Sequence, residues 1–320
     1  MVVIRGNYPN LEFIKRFQNK AAAVTIGAYD GLHLGHQYIF KKLSEKAKRH
    51  QLIRVLITFE PRPADYFNNL NHSDKKTDRL TLLSDKLRIL AQTDFDLIWI
   101  INFNSVTANS SADDFIAKIN KIFKIHSLYI GHDFKFGKNR SGNFTFLEQQ
   151  ANIYHYQLFE MNSFQIDQIR VSSSYIRDLA LNTTSSNLAL IKKFMGRYYG
   201  FSGKVITGQK KGRELGFPTI NIHVKPQQLK LARGVYAVNI TYGSVTFQAM
   251  ANWGYRPTLV KKLELVLEAH IFDFNQDVYG QRIYIEFIAK IRDEHKFNSI
   301  TELQQQLHLD KQSTLSLFSI

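Results

Sequence analysis

Short apolar runs alternate with amphipathic stretches through the first half of the chain. Residues 22–28, 52–59, 97–101 and 127–131 are dense in apolar side chains and have the length of buried strands. Between them, residues 35–50, 79–92 and 112–123 carry helical spacing. Ile39, Leu43 and Ala47 fall at i, i+4 and i+8 and make one apolar stripe. Ser111 with Asp114 reads as a capping-box-like start to the third of these helices. Strand–helix alternation predicts βαβ units, a parallel sheet and right-handed crossovers. In such sheets ligands sit at the carboxyl ends of the strands.

Beyond Tyr198 the pattern changes. Strand-like segments at 200–207, 234–242, 245–252, 264–272 and 282–291 follow one another across turns. Val235–Ile240 and Leu265–Ile271 partly alternate, as half-buried antiparallel strands do. Closely spaced strands of this kind predict a small antiparallel β-barrel. A final helix is expected within 299–309. The polar run 182–187 marks the boundary region, which gives two domains at 1–184 and 185–320.

Composition narrows the classes. The 320 residues hold 44% hydrophobic and 22% charged residues, enough for a sizeable core. Lys and Arg number 42 against 27 Asp and Glu, a net charge of +15, which favours polyanionic ligands. The basic residues are spread along the chain rather than gathered, which argues against nucleic acid as the partner. Cysteine is absent, so disulfides, thiolate catalysis and cysteine-held metals are excluded. No apolar run approaches the ~18 residues a bilayer span needs. Met1-Val2-Val3-Ile4-Arg5 has no signal-peptide anatomy, so the expectation is a cytoplasmic protein with no membrane partner. The oligomeric state stays open.

The leading chemical signal is Gly27-Ala28-Tyr29-Asp30-Gly31-Leu32-His33-Leu34-Gly35-His36, between a predicted strand and a predicted helix. Its glycines allow a sharp turn and close approach to a ligand. The helix N-terminus offers free N–H groups and partial positive charge, which suits phosphate. His33 and His36 face the same side of one turn and can donate hydrogen bonds to a triphosphate. The run fits neither the dinucleotide fingerprint nor the Walker A loop. Metal ligation and ordinary surface histidines are the competing readings.

A second phosphate signal is Val171-Ser172-Ser173-Ser174-Tyr175-Ile176-Arg177. Ser172, Ser173 and Ser174 can cap a helix and donate to a phosphate chain, Arg177 offers a planar fork, and Arg170 adds a further cation. A third lies in Gly208-Gln209-Lys210-Lys211-Gly212-Arg213-Glu214-Leu215-Gly216-Phe217-Pro218-Thr219-Ile220-Asn221, where glycines interleaved with Lys210, Lys211 and Arg213 make a basic cradle or an exposed hairpin tip.

The decamer resembles the HxGH signature of the nucleotidyltransferase superfamily. Together with Thr58–Pro63 (TFEPRP), Gly131–Gly137 (GHDFKFG), Arg140-Ser141-Gly142 and Val171–Arg177, it resembles the prokaryotic bifunctional riboflavin kinase/FAD synthetase family over most of residues 20–180. Downstream, Gly216–Asn221, Asn252–Thr258 and Leu267–Phe274 resemble the GFPTAN, NxGxRPT and LEVHLFDF segments of riboflavin kinase. The resemblance implies an α/β Rossmann-like nucleotidyltransferase domain, then a small β-barrel kinase domain with a C-terminal helix. It implies ATP, riboflavin, FMN and FAD as substrates and products, and magnesium as cofactor. It places ATP on Gly27, Asp30, Gly31, His33, His36, Arg170, Ser172, Ser173, Ser174 and Arg177, and flavin on Asp133 and Phe134. In the kinase it places ATP on Gly208, Lys211, Gly212, Gly216, Thr219 and Asn221. It implies Thr219 and Asn221 as metal ligands and Glu268 as the base at the riboflavin 5′-hydroxyl.

The chain departs from these patterns. Ala28 and Tyr29 replace Asn and Phe, Arg62 stands for His, Ser174 for Thr and Ile220 for Ala, and Trp253 takes a small aliphatic's place. A relative with one decayed module, or a non-catalytic flavin- or nucleic-acid-binding regulator, is the alternative these departures leave open.

Overall fold

A computed structural model describes residues 1–7, 17, 20–71, 78–208, 211–257 and 263–319. Gln209, Lys210 and Thr258 lie outside the described residues, as do the side chains of Lys211 and Arg256. The chain divides into two compact units, 1–77 with 86–172 and 78–85 with 173–320.

The first unit is built on a parallel sheet of β1 (Val2–Arg5), β2 (Ala21–Ile26), β3 (Ile53–Glu60), β4 (Leu97–Asn102), β5 (Lys124–Gly131) and β6 (Gln157–Met161). Their spatial order is β1-β4-β3-β2-β5-β6, and every neighbouring pair is parallel. The chain order reverses between β2 and β5, which makes the mouth of β2 the switch point where ligands gather. The central strands are apolar on both faces, as a covered parallel sheet requires. Val24, Val55, Ile57, Leu97 and Leu128 are wholly buried. The helices are α1 (Leu34–His50), α2 (Pro63–Leu70), α3 (Leu83–Leu90, of which 86–90 count with this unit), α4 (Ser105–Asn109), α5 (Ala112–Ile122) and α6 (Phe144–Tyr154). The Ile39, Leu43, Ala47 stripe of α1 is buried. Ser111 caps α5 by accepting the Asp114 N–H at 3.0 Å. A two-stranded ribbon, β7 (Gln165–Ile166) with β8 (Ile169–Arg170), follows the sheet.

The second unit is a closed antiparallel barrel of β9 (Tyr199–Ile206), β10 (Ile220–His223), β11 (Gly234–Tyr242), β12 (Val245–Pro257), β13 (Leu263–Ile271) and β14 (Arg282–Arg292). Its interior is aromatic. Trp253 is fully buried, edge-on to Phe201 and Phe287 at 5.8 and 5.6 Å between ring centroids. This departure therefore fills the barrel core. Helices α7 (Ser173–Leu181), α8 (Ser185–Met195) and α9 (Ile300–Phe318) complete the unit. Arg292 on β14 holds α9 through two bonds to buried Asp310, at 2.9 and 2.8 Å.

Three expectations shift. The helix expected over 79–92 starts only at Leu83, because Arg79 is drawn into backbone pairing. Arg79 N–H donates to Gln227 O at 2.8 Å and Leu229 N–H to Arg79 O at 2.9 Å. Of the polar run 182–187, residues 182–184 form the turn between α7 and α8 and 185–187 begin α8, where Thr184 Oγ1 accepts the Asn187 N–H at 3.1 Å. The last helix runs well past 309, to Phe318.

Candidate active sites

The first site is the β2–α1 loop. Tyr29 (φ 47°), Gly31 (φ 86°) and Leu32 (φ 44°) turn the chain through left-handed conformations. His33 then takes extended geometry as N-cap of α1. The His33 and His36 rings stack at 3.6 Å and 20°, so the two lie side by side at the helix N-terminus. Tyr29 stands edge-on to His36 at 5.1 Å and to Phe40 at 5.1 Å. Gly27 makes room for this ring: a Cβ there would lie 2.8 Å from it.

Two departures find partners here. The Tyr29 hydroxyl is hydrogen-bonded to Thr25 Oγ1, which itself donates to Tyr129 O at 2.9 Å. Thr25 has one proton, so the phenol is the donor to it. Burial pushes the Tyr29 phenol well above its ordinary range. Arg62 is bidentate to Asp65, at 2.9 and 2.6 Å, and pairs with Asp30 through its remaining nitrogen. Ala28 O accepts from Lys86 Nζ. Nothing in the structure explains the Ala28 side chain.

The other predicted residues fall as follows. Asp133 and Arg170, expected on flavin and ATP, form an exposed ion pair with each other at 3.0 Å. Phe134 stacks on buried Phe136 at 5.3 Å, so one ring of the pair is core and the other its partly exposed cover. Ser172 ends the first unit. Ser173, Ser174 and Arg177 belong to the second, at the start of α7. Arg177 Nε donates to Asp78 O at 2.8 Å, within that second unit.

Sequence reasoning missed an aromatic cluster. Tyr66, Phe67 and Phe103 meet edge-on at 5.4, 5.4 and 5.8 Å. They follow the carboxyl ends of β3 and β4. Helix α2 buries none of its residues, and Phe67 is 43% exposed. The available signal was aromatic side chains directly after two predicted strands.

The second site is on the barrel. Register places Asn221 opposite Glu268, and Glu268 opposite Asn252. Directly paired residues share a face, so these three polar side chains form a row across β10, β13 and β12. Asn221 is buried. The loop before β10 closes on it. A Cβ on Gly208 would sit 2.1 Å from Asn221 Nδ2, and one on Gly212 would sit 3.5 Å from Thr219 Oγ1. Gly216 turns the loop at φ 81°.

His270 donates from Nδ1 to Pro218 O at 2.8 Å and so holds the segment carrying Thr219. Burial lowers the pKa of His270, the bond to Pro218 O opposes this, and Lys311 lowers it further. A cleft of about 540 Å³ lies alongside, lined by Arg213, Thr219, Ile220, Ala269, Ile271 and Asp277 among others. Ile220, another departure, is thus a wall of the cleft. Strand alternation puts Glu268 on the face of β13 opposite Ala269 and Ile271.

Both units thus carry glycine-bearing loops against polar side chains, the first at the mouth of a parallel sheet and the second on a barrel wall. That is the form of a two-module nucleotide-handling enzyme. The family model "FAD synthetase" matches residues 15–175 and the model "Riboflavin kinase" matches 195–318. Proteins named bifunctional riboflavin kinase/FMN adenylyltransferase align throughout. That of Haemophilus influenzae is 37% identical, covering 94% of this chain and 95% of its own. That of Buchnera aphidicola subsp. Schizaphis graminum is 36% identical over the whole of both chains. That of Escherichia coli K12 is 32% identical, covering 100% of this chain and 99% of its own. The chain belongs to the bifunctional riboflavin kinase/FMN adenylyltransferase family. A solved structure from Streptococcus pneumoniae titled macrolide-efflux protein superposes with a TM-score of 0.82 at 26% identity, covering 98% of this chain and 99% of that one. Among the described residues of this chain, no helix is long and apolar enough to cross a membrane.

Proposed function

We infer that this chain makes both flavin cofactors. One module transfers the γ-phosphoryl group of ATP to riboflavin, giving FMN and ADP. The other joins FMN to the adenylyl group of a second ATP, giving FAD and pyrophosphate. Both family models and full-length relatives support the two activities. The observation that supports the assignment of residues is the row Asn221–Glu268–Asn252 with Gly208 packed against Asn221, which brings a carboxylate to the glycine-bearing loop.

In the kinase module Glu268 accepts the riboflavin 5′-hydroxyl proton, while the loop from Gly208 through Lys211, Gly212 and Gly216 wraps the phosphates. The side-chain oxygens of Thr219 and Asn221 are the hard donors a hard cation takes. Magnesium held there supplies charge neutralisation on the phosphates. In the adenylyltransferase module Gly27, Asp30 and Gly31 shape the loop. His33 and His36 donate to the triphosphate at the α1 N-terminus, and in-line attack by the FMN phosphate needs no covalent enzyme intermediate. Arg170 and Ser172, in the same unit, add a cation and a donor for the phosphates. Phe134, Asp133 and the half-buried Tyr66–Phe67–Phe103 cluster, with Phe67 exposed, provide the flavin platform.

By chemistry the modules divide as 1–184 and 185–320. By packing, 173–184 go with the barrel. The test is incubation with riboflavin, ATP and magnesium, then chromatography of the flavins. FMN and FAD are both expected, and absence of both refutes the reading.

A further inference from the structure

We propose that Arg62 is a positioning residue for adenylyl transfer: its guanidinium, clamped between Asp65 and Asp30, fixes the β2–α1 loop and cancels a buried negative charge at the triphosphate site. The inference rests on the adenylyltransferase reading of the first module and extends it to a residue that departs from the family pattern within its Thr58–Pro63 segment.

The geometry is specific. The Arg62 side chain is 6% exposed and that of Asp30 5%. Arg62 is the N-cap residue of α2, with Pro63 behind it and Asp65 in the first helical turn. Its Nε and one terminal nitrogen grip both oxygens of Asp65, and the other terminal nitrogen reaches Asp30 Oδ2. The β3–α2 corner is thereby tied to the β2–α1 loop. The two loops follow adjacent strands of the sheet. Asp30 lies between Tyr29 and Gly31, and the left-handed residues Tyr29, Gly31 and Leu32 surround it immediately before His33. Such backbone persists only where surrounding contacts over-determine it. The Asp30 ion pair is one such contact, and the buried Tyr29 ring is another.

The charge argument is independent. A carboxylate three residues before His33, at a helix N-terminus meant for a polyanion, repels that ligand unless it is neutralised. Asp30, Asp65 and Glu60 all act on Arg62, and Lys86 reaches the same loop through Ala28 O. Arg carries its charge at every working pH and matches carboxylates with a planar fork. The family's histidine at this position does neither.

The test compares the full-length chain with R62A, R62K and R62H. Conversion of FMN to FAD is followed with Mg-ATP, and riboflavin phosphorylation is followed in the same samples as a control on folding. R62A is expected to lose at least about tenfold in kcat for FAD formation, with FMN formation unchanged. R62K is expected to recover part of the loss, since one ammonium cannot grip both carboxylates. R62H carries the discriminating readout. Burial lowers the pKa of a histidine there, and Asp30, Asp65 and Glu60 raise it. In either balance its charge is present below that pKa and lost as pH rises through it. The R62H-to-parent ratio for FAD formation should therefore fall with rising pH.

R62A with the parent's kcat and KM, or a ratio flat with pH, overturns the proposal. Loss of both activities in all three variants assigns Arg62 to the fold and also overturns it. A parent that forms no FAD refutes the functional reading instead, which keeps the two failures distinct.

Discussion

Replacing Gly208 by alanine tests the kinase cradle most directly. The added Cβ would sit 2.1 Å from Asn221 Nδ2 and 2.5 Å from its Cγ. Ordinary van der Waals separation for such atoms is about 3.5 Å, so Asn221 or the loop must move by roughly 1.4 Å. Asn221 is buried and paired in register with Glu268, so the shift falls on the groups assigned to phosphate, cation and base. Misplacement of a reacting group by about 1 Å costs on the order of 100-fold, or about 2.7 kcal/mol of barrier. Initial rates of FMN formation from riboflavin and of FAD formation from supplied FMN are measured separately. The expected result is a loss near 100-fold in the first and none in the second. Normal FMN formation, or equal loss in both, refutes the reasoning that this close approach builds the kinase site.

Three further outcomes are expected. His36→Ala should lower FAD formation by orders of magnitude and spare FMN formation, and Glu268→Ala the reverse. Separate assays of the two flavins check this, and matched losses in either variant refute two independent sites. Tyr29→Phe removes the hydroxyl bonded to Thr25 while keeping the ring edge-on to His36. Stability should fall by about 0.5–1.5 kcal/mol in urea unfolding, with FAD formation retained. The Asp96 carboxyl is pushed up by burial, but the side-chain and backbone bonds and charge of Arg54 outweigh this and hold it below its ordinary range. A depressed folded pKa gives stability that is present above the unfolded value near 3.9 and lost as pH falls through the folded one. Arg54→Met should therefore flatten the acid limb of thermal stability, and an unchanged limb refutes the linkage.

How much the sequence reveals depends on how local the cause is. Strand β11 (Gly234–Tyr242) has the bounds its alternation predicts, because pattern and turn residues set it within a few positions. Helix α3 is shorter than its periodicity, because Arg79 pairs with residues near Gln228, some 150 positions away. Motifs single out His33, His36 and Glu268 because contiguous residues carry them, and the structure stacks the two histidines at the α1 N-terminus. The Tyr66–Phe67–Phe103 cluster and the Arg62–Asp30 pair join loops after different strands, and only the sheet order brings them together. Departures read as defects from pattern alone prove to be packed or paired: Trp253 in the barrel core, Tyr29 on Thr25, Arg62 on Asp30.

The barrel's closure has a consequence for fidelity. Six strands joined into a ring share one fixed stagger, so β13 cannot slide without breaking hydrogen bonds to both β10 and β12. A slip of one residue would swap Glu268 for apolar Leu267 beside Asn221. A misaligned barrel would thus be chemically silent, and only correctly zipped molecules would turn over vitamin.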